Sequence, residues 1–187
     1  MNPLDERQRR YDEAWRELIG LRGLDHATFS GVTRVWRVVM HPTFHDDVAI
    51  TVTDVDAGGW IELRVLSANA RAWAMSAVGY QVPMPLGSPP QPTVWETTLS
   101  AAAVEALAAS IPALPLPPAA MSGVDGIHVD LEGQIDGRVH RAWCWSPSPR
   151  REPAHYAFVR VLCMIASQQF ADPAAQTAIR ALEPYFR

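Results

Sequence analysis

Apolar residues Leu4, Tyr11, Trp15 and Leu18 recur at helical spacing near the start of the chain, which predicts an amphipathic helix within residues 1–22. Asn2 is placed to cap it and Pro3 suits its first position. Asp5 and Glu6 add negative charge at its positive end, and Gly20 and Gly23 mark its stop. The period then changes. Val32–Met40, Val48–Val55 and Trp60–Leu66 are β-branched and aromatic runs, and they read as strands. Asp56-Ala57-Gly58-Gly59 is a hairpin turn signal between the last two. Ile61, Leu63 and Val65 are expected to face the core, with Glu62 and Arg64 facing water. Ala72–Val82 ends in Gly79, Tyr80 and Val82 before Pro83 and is read as an extended segment.

Five prolines in residues 83–92 make a stiff connection without a full set of backbone donors. Thr93–Thr98 resumes as a strand. Ser100 then caps a short alanine-rich helix ending near Ser110, with Leu99 and Val104 as its hydrophobic staple. A second proline stretch, residues 112–118, ends it. Beyond this, Ile127–Gln134 alternates strictly and Arg138–Trp145 answers it across Asp136-Gly137, a strong two-residue turn. That turn sets the register. Glu132 is predicted opposite Arg141, Asp130 opposite Trp143 and His128 opposite Trp145. A long helix follows from about Pro153 to Phe170, with Tyr156, Val159, Leu162, Cys163 and Ile165 on its buried side. Asp172-Pro173 starts a final helix carrying Ile179, Leu182 and Phe186. The expected architecture is α+β: a largely antiparallel sheet of about six or seven strands with an N-terminal helix, a short crossover helix and two C-terminal helices. Neither proline stretch separates two self-sufficient cores, so residues 1–187 are read as a single domain.

Composition narrows the function classes. The chain is 48% hydrophobic with a net charge of −4, which is that of a folded chain rather than a disordered one. All 16 basic residues are arginine. This removes Schiff-base, phosphate-loop and general-base lysines. Residues 23–137 hold four Arg against twelve acids, and residues 138–187 hold seven Arg against three acids. An acidic middle argues against nucleic acid, which needs a concentrated basic face. Arg138, Arg141, Arg150 and Arg151 read as solvated surface. Two cysteines support neither a disulfide scaffold nor a four-thiolate zinc site. No apolar run approaches the ~20 residues of a membrane span, and Met1–Tyr11 is too charged for a signal-peptide core. The expectation is a cytoplasmic protein with no cofactor.

Three groups of residues could carry chemistry. His41, His45, Asp46 and Asp47 supply metal-ligand types within seven residues. Pro42, however, drives His41 out of the helical conformation that would let two histidines four apart converge, so a polar loop is the preferred reading. His128, Asp130, Glu132, Arg141, Trp143 and Trp145 share one face of the C-terminal hairpin. They could bind a cation or act as acid and base. The simpler reading is a solvent-facing sheet surface held by a Glu132–Arg141 pair, with the two tryptophans covered by one of the protein's own helices. Cys144 and Cys163 are the third group. Each is expected to be a small buried hydrophobe, since His140 on the face of Cys144 lies roughly 13 Å along the strand. Local motifs for nucleophile elbows, dinucleotide or phosphate loops, zinc proteases and EF-hands are missing from the sequence.

From about Val94 onward the order of features resembles a set of uncharacterised bacterial proteins. The matching residues are Thr98-Leu99-Ser100, Leu114-Pro115, Val124-Asp125-Gly126, Leu131-Glu132-Gly133, Asp136-Gly137-Arg138-Val139-His140 and Trp145-Ser146-Pro147. Val124, His128 and Cys144 depart from that pattern. The resemblance implies a similar fold only, that set having no established activity, and it directs attention to Asp125, Glu132, His140 and Trp145. The leading expectation is a non-catalytic protein that binds a protein partner or itself in a neutralising or regulatory role. The alternative is a small metal-dependent or hydrolytic enzyme using the hairpin His/Asp/Glu face. Convergence of those side chains in one concave pocket would favour the enzyme, and their scatter over a convex face the partner.

Overall fold

The computed structural model describes residues 3–25, 32–82, 88–117, 119 and 125–186. Helix α1 (Pro3–Ile19) precedes strands β1 (Arg34–Pro42), β2 (Asp47–Val55) and β3 (Gly58–Leu66). Helix α2 (Ala70–Ala77), β4 (Thr93–Leu99) and α3 (Ala101–Ser110) follow. The hairpin β5 (Ile127–Ile135) and β6 (Arg138–Trp145) leads into α4 (Pro153–Gln169), α5 (Pro173–Ala181) and a 3-10 turn (Glu183–Phe186). Among the described residues the strands form one antiparallel sheet in the order β4-β3-β2-β1-β5-β6. The α+β architecture read from the sequence is the one observed.

Local signals account for most of the elements. Gly20, at φ 74°, closes α1 with the amides of Gly20 and Leu21 bonded to Glu17 and Arg16, the left-handed ending that favours glycine. Asp136 and Gly137 both adopt positive φ. The turn they form sets the β5–β6 register as predicted, with His128 opposite Trp145, Asp130 opposite Trp143 and Glu132 opposite Arg141. Ser100 accepts from the Ala103 amide, and Asp172 accepts from those of Ala174 and Ala175. The predicted cap Asn2, the stripe side chain of Leu4, and residues 83–87, 118 and 124 lie outside the described residues.

One element differs in kind. Ala72–Val82 is not extended, because its first half belongs to α2. Alanine, methionine and arginine favour helix, and the chain leaves α2 at Gly79, whose φ is 86°. There the amides of Gly79 and Tyr80 bond Ser76 and Met75. Gly79 therefore ends a helix instead of interrupting a strand.

Both faces of the sheet are covered. On one, Trp36, Val38, Met40, Ile50, Ile61 and Val129 pack with Leu107 of α3, Phe158 and Leu162 of α4 and Ile179 of α5. Cys144 and Cys163 are buried in this core, and burial pushes both thiols up to about 12. On the other, Trp15 and Ile19 of α1 pack with Val39, Ala49, Leu66, Ala70 and Ala74. Glu62 and Arg64 accordingly do not face open water. They pair with each other at 2.7 Å, and Arg64 donates to the Ile19 carbonyl at the end of α1.

Candidate functional site

Strand alternation puts Arg37, Val39 and His41 of β1 on the α1 side of the sheet, opposite the face that carries Trp36, Val38 and Met40. The β1–β5 register places His41 beside His128, Val39 beside Asp130 and Arg37 beside Glu132. The β5–β6 register extends those rows to Trp145, Trp143 and Arg141. Side chains distant in sequence thus share one surface. Helix α1 lies over part of it and leaves a cavity of about 750 Å³, lined by Gln8, Tyr11, Asp12, Trp15 and Arg16 of α1, by His41, Thr43 and Arg71, and by His128, Asp130, Trp143 and Trp145.

A chain of polar contacts runs along its floor. His128 Nε2 lies 3.0 Å from Asp130 Oδ1. Asp130 Oδ2 is 3.6 Å from His41 Nε2, and His41 Nδ1 is 3.5 Å from Asp47 Oδ1. Asp47 also accepts from Trp15 Nε1 at 2.7 Å and from the Arg71 guanidinium. Arg71 in turn donates to the Pro42 carbonyl. The edge of Trp15 meets the His41 ring, with centroids 4.3 Å apart, and His128 stacks on Trp143 with an interplanar angle of 14°.

This setting spreads the titrations. Burial alone would lower the pKa of His41, but contact with Asp130 and Asp47 outweighs it and holds the imidazole above its ordinary value. Burial would raise Asp130 and Asp47. The neighbouring His128 and His41, and His41 and Arg71 respectively, pull each below the usual carboxylate range. Asp12 goes the other way. Partial burial and the nearby Asp130 hold it above its ordinary value, against the Gln8 hydrogen bond and the charges of Arg16 and His41. Burial likewise pushes the Tyr11 hydroxyl up to about 12.

A pH dependence of stability follows. Asp47 and Asp130 titrate lower when folded, so their contribution is complete above the unfolded value of about 3.9 and is lost as pH falls through the folded values. His41 titrates higher when folded. Its contribution is complete below about 6.5 and is lost as pH rises through the folded value. Urea midpoints measured from pH 3 to 9 are expected to peak between about pH 5 and 6.5 and to decline on both sides. His41→Asn should remove the alkaline decline, and an unchanged decline in that variant would contradict the assignment.

The hairpin face departs from the sequence reading in three ways. Glu132 does not face solvent. Its side chain is 3% exposed, 2.6 Å from Arg16 of α1 and 3.1 Å from Arg37. Arg141 is more distant at 3.9 Å and also approaches Asp25, so the expected Glu132–Arg141 pair is the weakest of the three. The tryptophans are only partly covered by the protein's own helix: Trp145 is half-buried, while Trp143 stays 46% exposed at the cavity wall.

The four metal-ligand candidates separate. His41 lines the cavity with Asp47 buried behind it, His45 Nδ1 lies 2.8 Å from the Tyr185 hydroxyl, and Asp46 accepts from the Ala68 amide. Among the described residues no group of three His, Cys, Asp or Glu side chains is arranged to hold a metal ion. The sequence reading did not include Tyr11, Asp12, Trp15, Arg16 and Arg71 in the site. Arg37 and His41 carried a usable signal, as polar residues four apart within the apolar run Val35–Met40 and at its end mark a polar strip on one buried face.

Comparisons of the chain with known protein families, with curated proteins and with solved structures find no match.

Proposed function

We propose that the protein binds a small organic molecule in the cleft between α1 and the sheet and acts on it by general acid–base catalysis. His128 is the proton-transfer group and Asp130 its positioning residue. The observation that carries this reading is the polar chain from His128 through Asp130, His41 and Asp47 to Arg71, which ends at a cavity wall beside Trp143 and Trp145. An ionised Asp130 selects the tautomer in which Nε2 carries the proton, leaving Nδ1 as the basic nitrogen. That nitrogen has no hydrogen-bond partner among the described residues. The same logic orients histidine bases in other acid–base sites.

The reaction class is proton abstraction or activation of a water molecule. Among the described residues no serine or cysteine lines the cavity. Thr43 Oγ1 is engaged with Gly126, both as donor to its carbonyl and as acceptor from its amide. Tyr11 has too high a pKa to serve as a phenolate near neutral pH. The partner-binding alternative has one supporting feature, the open face of Trp143, but its neighbours line a concavity where a small molecule fits better than a protein surface.

Thermal-shift screening against a panel of small metabolites tests the proposal. A ligand present at a hundredfold excess over its Kd should raise Tm by about 5–10 °C. The shift should disappear in Trp143→Ala. His128→Asn should keep binding but lose turnover of any ligand that the wild type converts. A shift of equal size in Trp143→Ala would put the ligand elsewhere and overturn the proposal. So would a panel without effect, combined with capture of a purified protein partner that depends on Trp143.

A further inference from the structure

Charge around the cavity is unevenly compensated. Arg71 is neutralised by Asp47, and Arg16 lies 2.6 Å from Glu132, which is buried behind it. His41 sits between Asp47 and Asp130. Asp12 is different. Its surface is open to solvent, it lines the cavity, and among the described residues its side-chain hydrogen bond comes from the neutral Gln8 amide at 2.8 Å. No ion pair engages it among the described residues, although Arg16 stands four residues along the same helix, because that guanidinium turns to Glu132. The cavity therefore offers a ligand a carboxylate that no ion pair among the described residues occupies. Around it stand aromatic side chains from three elements, Tyr11 and Trp15 of α1, Trp143 and Trp145 of β6, and His128 of β5.

Resting on the reading of this cleft as a small-molecule site, we infer that its ligand is an organic cation, an amine or quaternary ammonium group carried on a compact hydrophobic body. Asp12 supplies the countercharge, and the electron-rich rings supply cation–π attraction in a partly desolvated space. An organic anion would meet Asp12 and Asp130 together, with the available cations already paired. An uncharged aromatic ligand would use the tryptophans and leave Asp12 without a role. The ligand charge is thus set by α1 and its shape by the hairpin.

Three probes of nearly equal size separate these outcomes: benzyltrimethylammonium, benzyl alcohol and benzoate. Each is titrated into the full-length protein at pH 7.5 and followed by tryptophan fluorescence and calorimetry. The cation is expected to bind about tenfold tighter than the alcohol, with benzoate weakest. Asp12→Asn should bring the cation to the level of the alcohol, and Trp143→Ala should weaken both. Asp12 is open to solvent and has no ion pair among the described residues, so the Asn variant is expected to fold, with near-UV circular dichroism as the check. Benzoate or the alcohol binding tighter than the cation, with loss in Trp143→Ala, would overturn the cation assignment while leaving the cleft as a ligand site. Equal cation binding by wild type and Asp12→Asn would do the same. If none of the three probes binds, the cation assignment fails, and the metabolite panel decides separately whether the cleft binds anything.

Discussion

Replacing Asp47 by alanine is expected to destabilise the fold by about 3–5 kcal/mol, a large part of the 5–15 kcal/mol that holds a domain together. The side chain is 0% exposed and serves three elements at once. It accepts from Trp15 of α1, binds Arg71 of α2 through Nε and Nη2, and faces His41 of β1. Its removal leaves the Arg71 guanidinium partly buried without its carboxylate and an indole N–H unbonded, and it takes from His41 one of its two acidic neighbours, Asp130 remaining. Asp47→Asn preserves the volume but not the charge, so it should recover only a minor part of the loss. Urea titration gives the midpoint shift, with m expected to stay constant. Combining Asp47→Asn with Arg71→Met should cost less than the two changes separately, since the second removes the charge that the first strands. A loss below about 1 kcal/mol for Asp47→Ala would mean that the contacts are not formed in solution.

Glu132→Ala is expected to have an effect of similar size, about 3–5 kcal/mol, by a different route. Here the group that loses its nearest carboxylate is Arg37, 2% exposed in the middle of the sheet. Its remaining contacts include Thr51 Oγ1 and the Arg22 carbonyl, neither of which carries a charge. Arg16 also loses its anchor, but it is partly exposed and can return to water. Amide exchange should therefore quicken in α1 more than in β5. Replacing Arg37 and Glu132 together by Met and Leu should be far milder than Glu132→Ala, because apolar substitution of a whole buried pair removes the desolvation cost along with the attraction. If the double replacement is as damaging as the single one, the pair contributes specificity to the sheet rather than a charge balance.

How far the sequence could be read follows from the range of each interaction. The β5–β6 register was legible because Asp136-Gly137 specifies it locally, and period-two alternation then places His128, Asp130, Trp143 and Trp145 on one face. The helix at Ser100 and the one at Asp172 were legible from single capping residues. Helix α2 was not, because Gly79 has the same identity whether it ends a helix or kinks a strand. The cavity itself was half legible. That His41 lies beside His128 depends on β1 pairing with β5, and that Asp12, Trp15 and Arg16 stand above them depends on where α1 docks. No periodicity encodes either contact. Glu132 was misplaced for the same reason: alternation names its face, but only the docked helix turns that face from surface into interior.

The pairing of β1 with β5 also sets an order of assembly. Arg37 and Glu132 are 95 residues apart, and the second anchor of α1 is that same glutamate. A nascent chain that has emerged only as far as β3 can form the β1–β2–β3 meander, yet β1 still presents an open edge and Arg16 has not met Glu132. The floor of the cleft is complete only after the hairpin inserts beside β1, so such a non-local closure is expected to come late and to govern the rate at which the protein matures.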